Sequence, residues 1–424
     1  MWGRNMESGV QISKRVAPAR QSRCRWLRFR LRTLLFAPAV VAIPLSWIAW
    51  RLEHHRQECR AAAALEAIGG GVLFEDKLGP AWLRRKIGGY FPAFFATGTS
   101  AIIQGSLQPS DPAEAPPIDP WSETDGGEPK SLGPTDLEPL RRFGNLNAVT
   151  ISRCTLHDDP LSPLDSASQL EWLLLRETNA CDNDLRHIRS LAKLEVVDIS
   201  DTDVGDAGLA SFKHSTKLKT LYARRSKILG SGLSCLQGLP SLEAVVLGWS
   251  PAGNDGLEHL ESLPKLIHLE TGTGVTDIGL EVIGRLVQLK SLRLDGSQIT
   301  DSGLENLRGL VNLESLRLCG TRCTDDGLKV VSSLPALFHL DIRRTEITAA
   351  GIAHLSTMPN LRSLNLAGTP VDDQAVSLIG AFPMLQSVGL HNTAMTPAGI
   401  KRLEAMKPYY FVDISTPDTL FNLP

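Results

Sequence analysis

The chain has 424 residues, 42% of them apolar and 21% charged, with 44 bases against 46 acids for a formal charge of −2. This ordinary globular composition excludes wholesale disorder and a polytopic membrane protein, and the length asks for two or three domains or one elongated array. The near-neutral charge sums two unlike segments: residues 1–33 carry nine Arg or Lys and one acid, leaving 35 bases against 45 acids elsewhere.

Residues 34–50, seventeen without a charge, follow the basic tail. At about 1.5 Å per residue they cover about 25 Å, close to a roughly 30 Å hydrocarbon core. Arg32 and Arg51 suit snorkelling, and Trp26, Trp47 and Trp50 suit the interface. A cleaved secretory signal is the competing reading, but a polar stretch from Arg51 to Arg60 stands where a small-residue cleavage site belongs. The expectation is an uncleaved single-span anchor in the inner membrane, with the bilayer as its partner. The excess of positive charge places the N-terminus inside and everything after residue 50 outside. The same topology explains the basic tail without a nucleic-acid partner.

Residues 51–107 read as a juxtamembrane helix, A-A-A-A-L-E-A-I, followed by an N-terminal cap in which Ile68, Val72, Leu73, Phe74, Trp82, Leu83 and Ile87 cover what comes next. Residues 108–134 are dense in Pro, Asp and Glu and too poor in apolar surface to order themselves. They read as an insertion into a degenerate first repeat, with Thr99 to Gln104 as its strand and Thr135 to Phe143 as its helical half. Pairing of Ala101–Ile103 beside Ala148–Ile151 is the test of that reading. The insertion's acids, Asp111, Glu114, Asp119, Glu123, Asp125 and Glu128, suit a cover over Arg176 and Arg224.

From residue 135 to 414 the chain repeats with a period of 24. The pattern L-x-x-L-x-L begins at Leu146, Leu170, Leu194, Leu218, Leu242, Leu266, Leu289, Leu313, Leu337, Leu361 and Leu385, and every step is 24 residues except the 23 from Leu266 to Leu289. A last half-unit, Tyr409 to Ile414, falls on schedule, and residues 415–424 form a tail whose Leu420 and Phe421 suit closing that end. In each unit Leu289, Leu292 and Leu294 or their counterparts point inward from a strand, and Ser291, Arg293 and Asp295 point outward. Leu304, Leu307 and Leu310 then stripe a short helix, with Thr300 as N-cap and Asp301 at the positive end of its dipole. Gly303 and its counterparts read as close approach of neighbouring helices. No unit buries its own face, so the array predicts an α/β solenoid with a concave parallel sheet and convex short helices.

This 24-residue T-D-x-G-L unit resembles the leucine-rich-repeat family, of the ribonuclease-inhibitor-like kind, and the anchored arrangement resembles bacterial membrane-anchored leucine-rich-repeat proteins. Where those families place Asn or Cys after the strand, this chain has Thr or Ser at 178, 202, 226, 250, 297, 321, 345, 369 and 393, hydroxyls suited to capping the turning backbone. The resemblance implies a non-enzymatic module that binds a protein or envelope component on its concave face. A cytosolic adaptor or substrate receptor of ubiquitin-ligase-like type, and an anchored enzyme with a site in residues 51–145, are the alternatives.

The expected binding positions are Trp172, Leu174, Tyr222 and Val246 with Arg176 and Arg224 on one face, Arg225 and Trp249 at its edge, and Arg293, Arg317, Asp341 and Arg343 further along. Trp, Tyr and Arg are the residues enriched at binding hot spots. The structural alternative is that Trp172 packs on the cap and Trp249 fills a loop. Both signs of charge are mixed along the rows, unlike a stripe tracking phosphate. No catalytic, cofactor or metal constellation emerges: His157-Asp158-Asp159 lies in a loop, His259 and His268 fall on different elements, and Gly69–Gly71 lacks the Lys of a phosphate loop. Seven cysteines with no C-x-x-C spacing imply no metal or disulfide framework, and Cys319 and Cys323 are expected as free thiols.

Overall fold

The computed structural model describes residues 46, 49–54, 56–76, 96–104, 130–406 and 411–413. Two compact units divide the chain at residues 56 and 57. In the first, residues 49–54 are helical, and the Trp50 indole stacks on the His54 ring with centroids 5.4 Å apart. Most of the expected span 34–50 lies outside the described residues. Among those described, no helix is long and apolar enough to cross a membrane.

The second unit is built on one sheet. Strand β1 (Gly70–Asp76) pairs antiparallel with β2 (Ala96–Gln104), and β2 pairs in parallel with β4 (Leu146–Ser152). Ala101 opposes Val149 and Ile103 opposes Ile151, so the first repeat does begin upstream of the insertion. Its helical half runs from Pro134 to Arg142 and buries Leu137, Leu140 and Phe143. A two-stranded side sheet, β3 (Lys130–Leu132) with β5 (Cys154–Leu156), ties the returning chain to the next repeat.

The cap extends further than the sequence suggests. Residues 57–67 are helical, and Ala61, Ala62 and Leu65 bury one face in the same core that receives Ile68 and Val72. The remaining cap positions, Leu73, Phe74, Trp82, Leu83 and Ile87, have side chains outside the described residues; of the expected insertion 108–134 only residues 130–134 are described, and these are ordered, with Lys130–Leu132 a strand and Pro134 the first residue of a helix.

Eleven strands of three residues continue the parallel sheet, β6 (Trp172–Leu174), β7 (Val196–Asp198), β8 (Thr220–Tyr222), β9 (Ala244–Val246), β10 (His268–Glu270), β11 (Ser291–Arg293), β12 (Ser315–Arg317), β13 (His339–Asp341), β14 (Ser363–Asn365), β15 (Ser387–Gly389) and β16 (Phe411–Asp413). Each strand pairs with the one before it in sequence, without a slip at the 23-residue step, where His268 opposes Ser291 and Glu270 opposes Arg293. Inward Leu, Ile and Val side chains from every unit merge into one continuous core. Register is held because a slip by one residue would turn the whole apolar set outward.

Two local devices end each strand. All nine Thr or Ser hydroxyls donate to the carbonyl three residues earlier, for example Thr202 to Ile199 at 2.6 Å and Ser297 to Leu294 at 2.6 Å. A residue in the left-handed region precedes the hydroxyl. It is glycine at 296, 320 and 368 but Glu177, Asp201, Arg225, Trp249, Arg344 and Asn392 elsewhere, with φ between 49° and 60° at those six.

The helical side brings one correction and sharpens one expectation. Units from Ser162 to Ser262 carry 3-10 turns, Ser162–Ser166, Asp184–Ile188, Gly208–Phe212, Ser231–Leu236 and Leu257–Ser262, whereas α-helical turns stand before them at Pro134–Leu137 and after them from Asp277 onward. Leucines three apart fit a 3-10 turn, in which i and i+3 eclipse. Second, the glycine of T-D-x-G-L does stand at a close approach of neighbouring helical turns, and the nearest group there is the carboxylate that opens the preceding turn. A Cβ on Gly303 would overlap Asp277 Oδ1 of the preceding unit, and Gly327, Gly351 and Gly399 stand in the same relation to Asp301, Asp325 and Asp373. Asp301 serves the next unit as well as its own helix end, accepting from the Thr324 amide at 2.8 Å and the Thr324 hydroxyl at 2.6 Å.

Candidate functional site

The outward side chains of the sheet form three columns, fixed by strand register. The first holds Trp172, Val196, Thr220, Ala244, His268, Ser291, Ser315, His339 and Ser363; the second holds Leu174, Asp198, Tyr222, Val246, Glu270, Arg293, Arg317, Asp341 and Asn365. Arg176, Arg224 and Arg343 lie two residues further along their chains, in the third.

At the N-terminal end the face is apolar. Trp172 is 50% exposed, with Val196 beside it in the first column and Leu174 and Tyr222 half-buried in the second. Trp172 therefore does not disappear under the cap. Val246 departs from expectation, for although it faces outward it is only 8% exposed.

A cross-strand bridge passes over that region. Arg224 donates to Glu270 through Nε at 2.8 Å and Nη2 at 2.5 Å, a fork-to-fork contact spanning two units. The intervening third-column residue is Gly248, whose Cβ would collide with Glu270 Oε1. Glycine at 248 is what lets the bridge form.

Further along, ion pairs engage the other expected arginines. Arg293 Nη1 lies 3.5 Å from Glu270, Arg317 Nη2 lies 2.9 Å from Asp295, and Arg343 Nε lies 3.0 Å from Asp341. Asp341 is fully buried and also accepts from the Arg343 amide. Burial raises the Asp295 carboxyl above its ordinary range against the pull of Arg317. Burial and then the neighbouring Arg317 lower the Arg293 guanidinium. Burial first, then the arginines, lowers His339, although Asp341 opposes them. At the other end Arg176 pairs with Asp198, and Arg225 pairs with Asp201 at 2.5 Å.

Trp249 stands apart from this face. It is 55% exposed at the strand-to-turn edge, with its indole carbons about one van der Waals contact from where a Cβ on Gly296 would stand, 3.1 and 3.5 Å. Gly296 is two units away. The unit between is the 23-residue one, which has no residue in that left-handed column, so the indole lies across the shortened edge. Trp249 thus lies against the shortened edge on one side while more than half of its surface stays exposed.

Of the acids that set this electrostatic pattern, Asp341 stands among the expected positions, while Asp198, Glu270 and Asp295 are the partners that residue-type reasoning passed over. Counting positions within L-x-x-L-x-L would have put Arg317, Asp295 and Asp341 on adjoining strands of one face. The Arg224 bridge needs side-chain reach over a glycine, which periodicity does not encode. Cys319 and Cys323 are free thiols pushed up to about 11 and about 12, chiefly by burial. Asp159 of the His157-Asp158-Asp159 loop accepts from Arg186 at 2.6 Å and contacts His187 at 2.6 Å.

Residues 132–408 match the family described as leucine-rich repeat region. Among solved structures, an internalin (inlF) from Listeria monocytogenes is 19% identical at a TM-score of 0.48, over 66% of this chain and 83% of that one. A chain of the TLR13–ssRNA13 complex is 21% identical at 0.47, over 68% of this chain and 44% of that one, and an internalin C2 from Listeria monocytogenes is 20% identical at 0.36, over 55% and 82%. No curated protein matches this chain.

Proposed function

This chain belongs to the leucine-rich-repeat family, and from that premise we propose that it is a membrane-anchored binding protein displaying its sheet face outside the cytoplasm to a protein or envelope ligand. Binding is reversible recognition with no covalent step. The observation that carries this reading is the apolar patch at β6 to β8, where a half-exposed Trp172 adjoins Leu174 and Tyr222 while the charges around them are tied up in ion pairs. Apolar side chains framed by internally satisfied charges give a partner area to bury without requiring it to strip water from an unpaired ion.

The anchor rests on the uncharged residues 34–50 behind nine bases, a pattern that orients single spans. Proteolysis of intact cells tests it: added protease digests the repeats if they lie outside, and full protection would favour the cytosolic adaptor. The patch is tested with the full-length protein carrying Trp172→Ala and Tyr222→Ala. Loss of partner recovery with retained thermal stability supports the patch, and identical recovery removes it.

A further inference from the structure

Near the start of the array two helical stripes face each other across an open cleft of ≈ 520 Å³. The helix over 57–67 presents Gln57, Arg60 and Ala61, and the helical half-unit from Pro134 to Arg142 presents Thr135, Glu138, Pro139 and Arg142. Spacings of three and four set each group along one side of its own helix, so both guanidiniums open onto the same space. Ala61 floors the cleft, because the helix buries Ala61, Ala62 and Leu65 in the shared core. Arg60 and Arg142 are exposed, and neither guanidinium makes a hydrogen bond or ion pair among the described residues. The carboxylate that lines the cleft, Glu138, accepts from Arg141 Nε at 3.0 Å, and Arg141 also donates to the Ser162 carbonyl at 2.8 Å. The charge of Glu138 is thus answered from outside the cleft, and two guanidiniums are left facing it.

Residue 60 is ten positions from residue 50, where the uncharged stretch 34–50 ends. Ten residues reach at most about 35 Å even when fully extended, so Arg60 stays that close to any bilayer that 34–50 spans. Guanidinium forks match phosphate oxygens in geometry as well as in charge. A soluble anion meets the same two arginines only after recruitment from solution, whereas a bilayer surface supplies phosphodiesters at high effective concentration within the reach of the tether.

We propose that Arg60 and Arg142 receive the phosphate of an anionic phospholipid headgroup, with the Gln57 amide and the Thr135 hydroxyl beside them, and so seat the cap on the membrane. This rests on the reading that residues 34–50 anchor the chain, and it goes beyond that reading. A span by itself sets no angle between array and membrane, and a headgroup held in the cleft does. The contact is between exposed charges, so it weakens with salt.

The test uses the full-length protein in phosphatidylcholine nanodiscs doped with phosphatidylglycerol that carries a photo-crosslinker in its headgroup, and headgroup-labelled phosphatidylcholine as control. Because the basic residues 1–33 also attract anionic lipid, crosslinks are mapped by mass spectrometry. The expected result is phosphatidylglycerol crosslinking within residues 57–61 and 135–142, absent with phosphatidylcholine. Crosslinking there should fall about fivefold in Arg60→Gln and in Arg142→Gln, the loss of one base at an anionic surface. It should be unchanged in Arg322→Gln, an exposed arginine further along the array. Crosslinks confined to 1–50, equal crosslinking by phosphatidylcholine, or no change in either cleft variant overturns the proposal. Displacement of the lipid by millimolar inorganic phosphate assigns the cleft to a soluble phosphate and overturns the lipid. A chain that does not enter nanodiscs of phosphatidylcholine alone overturns the anchor and this proposal with it, whereas entry without crosslinks in the cleft overturns this proposal alone.

Discussion

The units before the 23-residue step and those after it share a period, a sheet and a core, yet their helical edges are joined differently. Afterwards, Thr276, Thr300, Thr324, Thr348 and Thr396 open the helical turns, and an Asp or Asn of the preceding unit holds each Thr at its amide. Except at Thr276 and Thr324, the Thr hydroxyl also accepts from an amide in the first turn, Ser302, Ala350 or Gly399. That is an N-cap, and the turns that follow are α-helical. Before the step the same column reads Cys181, Gly205, Leu229 and Gly253, with no hydroxyl to give, and the turns there are 3-10. A hydroxyl in this column accompanies the α-helical turns without alone deciding them: Thr276 makes no cap bond ahead of Asp277–Ile283, and Asp372 holds the same place ahead of the α-helix Ala375–Ala381.

The pattern contains its own control. Where Ala349 replaces the stapling Asp, the next unit has Ala375 in place of glycine; where Asp277, Asp301, Asp325 and Asp373 are present, Gly303, Gly327, Gly351 and Gly399 follow. The strongest way to break the comparison is therefore Gly303→Ala. Its methyl meets the Asp277 carboxylate, and overpacking should cost about 1–3 kcal/mol in thermal or denaturant unfolding. Adding Asp277→Ala should restore part of the loss, as the natural Ala349 and Ala375 pair implies, and strict additivity would mean the contact is not the cause.

Next in size, Asp301→Ala removes two hydrogen bonds to Thr324 and should cost about 1–2 kcal/mol, with exchange of the Leu328–Val331 turn accelerated. Asp182 stands before the step but still accepts from the Gly205 amide at 2.7 Å, so its hydroxyl partner alone is missing.

Acidification separates the two halves of the face. The His339 pKa is lowered by burial beside Arg317, Arg293 and Arg343, with Asp341 opposing, so the folded chain binds fewer protons than the unfolded one. Stability from the neutral ring is intact above about 6.5 and is lost as pH falls through that value toward the lowered one. Hydrogen exchange at pH 7 and pH 5 should show β10 to β14 loosening more than β6 to β9, and His339→Gln should remove part of that difference.

The smallest expected effect is constructive. Gly205→Thr supplies the hydroxyl that Asp182 lacks, at a position where a Cβ would be 3.6 Å from Asp182 Oδ2 with no positive φ to strain it. It should stabilise by a few tenths of a kcal/mol. Helical signal should rise as the 3-10 turn at 208–212 moves toward α; no change in either would detach turn type from the cap.

Much of this was legible in the sequence, for a definite reason. A period of 24 with fixed inward leucines sets every outward column, so the column from Leu174 to Asn365 follows from counting, and the upstream strand at Ala101–Ile103 follows from the one unit that lacks its own. What counting misses is contact that skips a unit. Arg224 reaches Glu270 over Gly248, and Trp249 reaches Gly296 over the shortened turn, because side-chain length exceeds the spacing of strands. Val246, outward by count, is 8% exposed, so register gives the face a side chain lies on and not its exposure.

The central claim, that a partner is engaged on the sheet face at its apolar end, is tested most directly by photo-crosslinking amino acids placed singly at Tyr222 on that face and at Val311 on the exposed helix-to-strand turn of the full-length protein in living cells. The account predicts a discrete crosslinked product from position 222 and none from position 311. Products from 311 alone, or the same products from both positions, would contradict it.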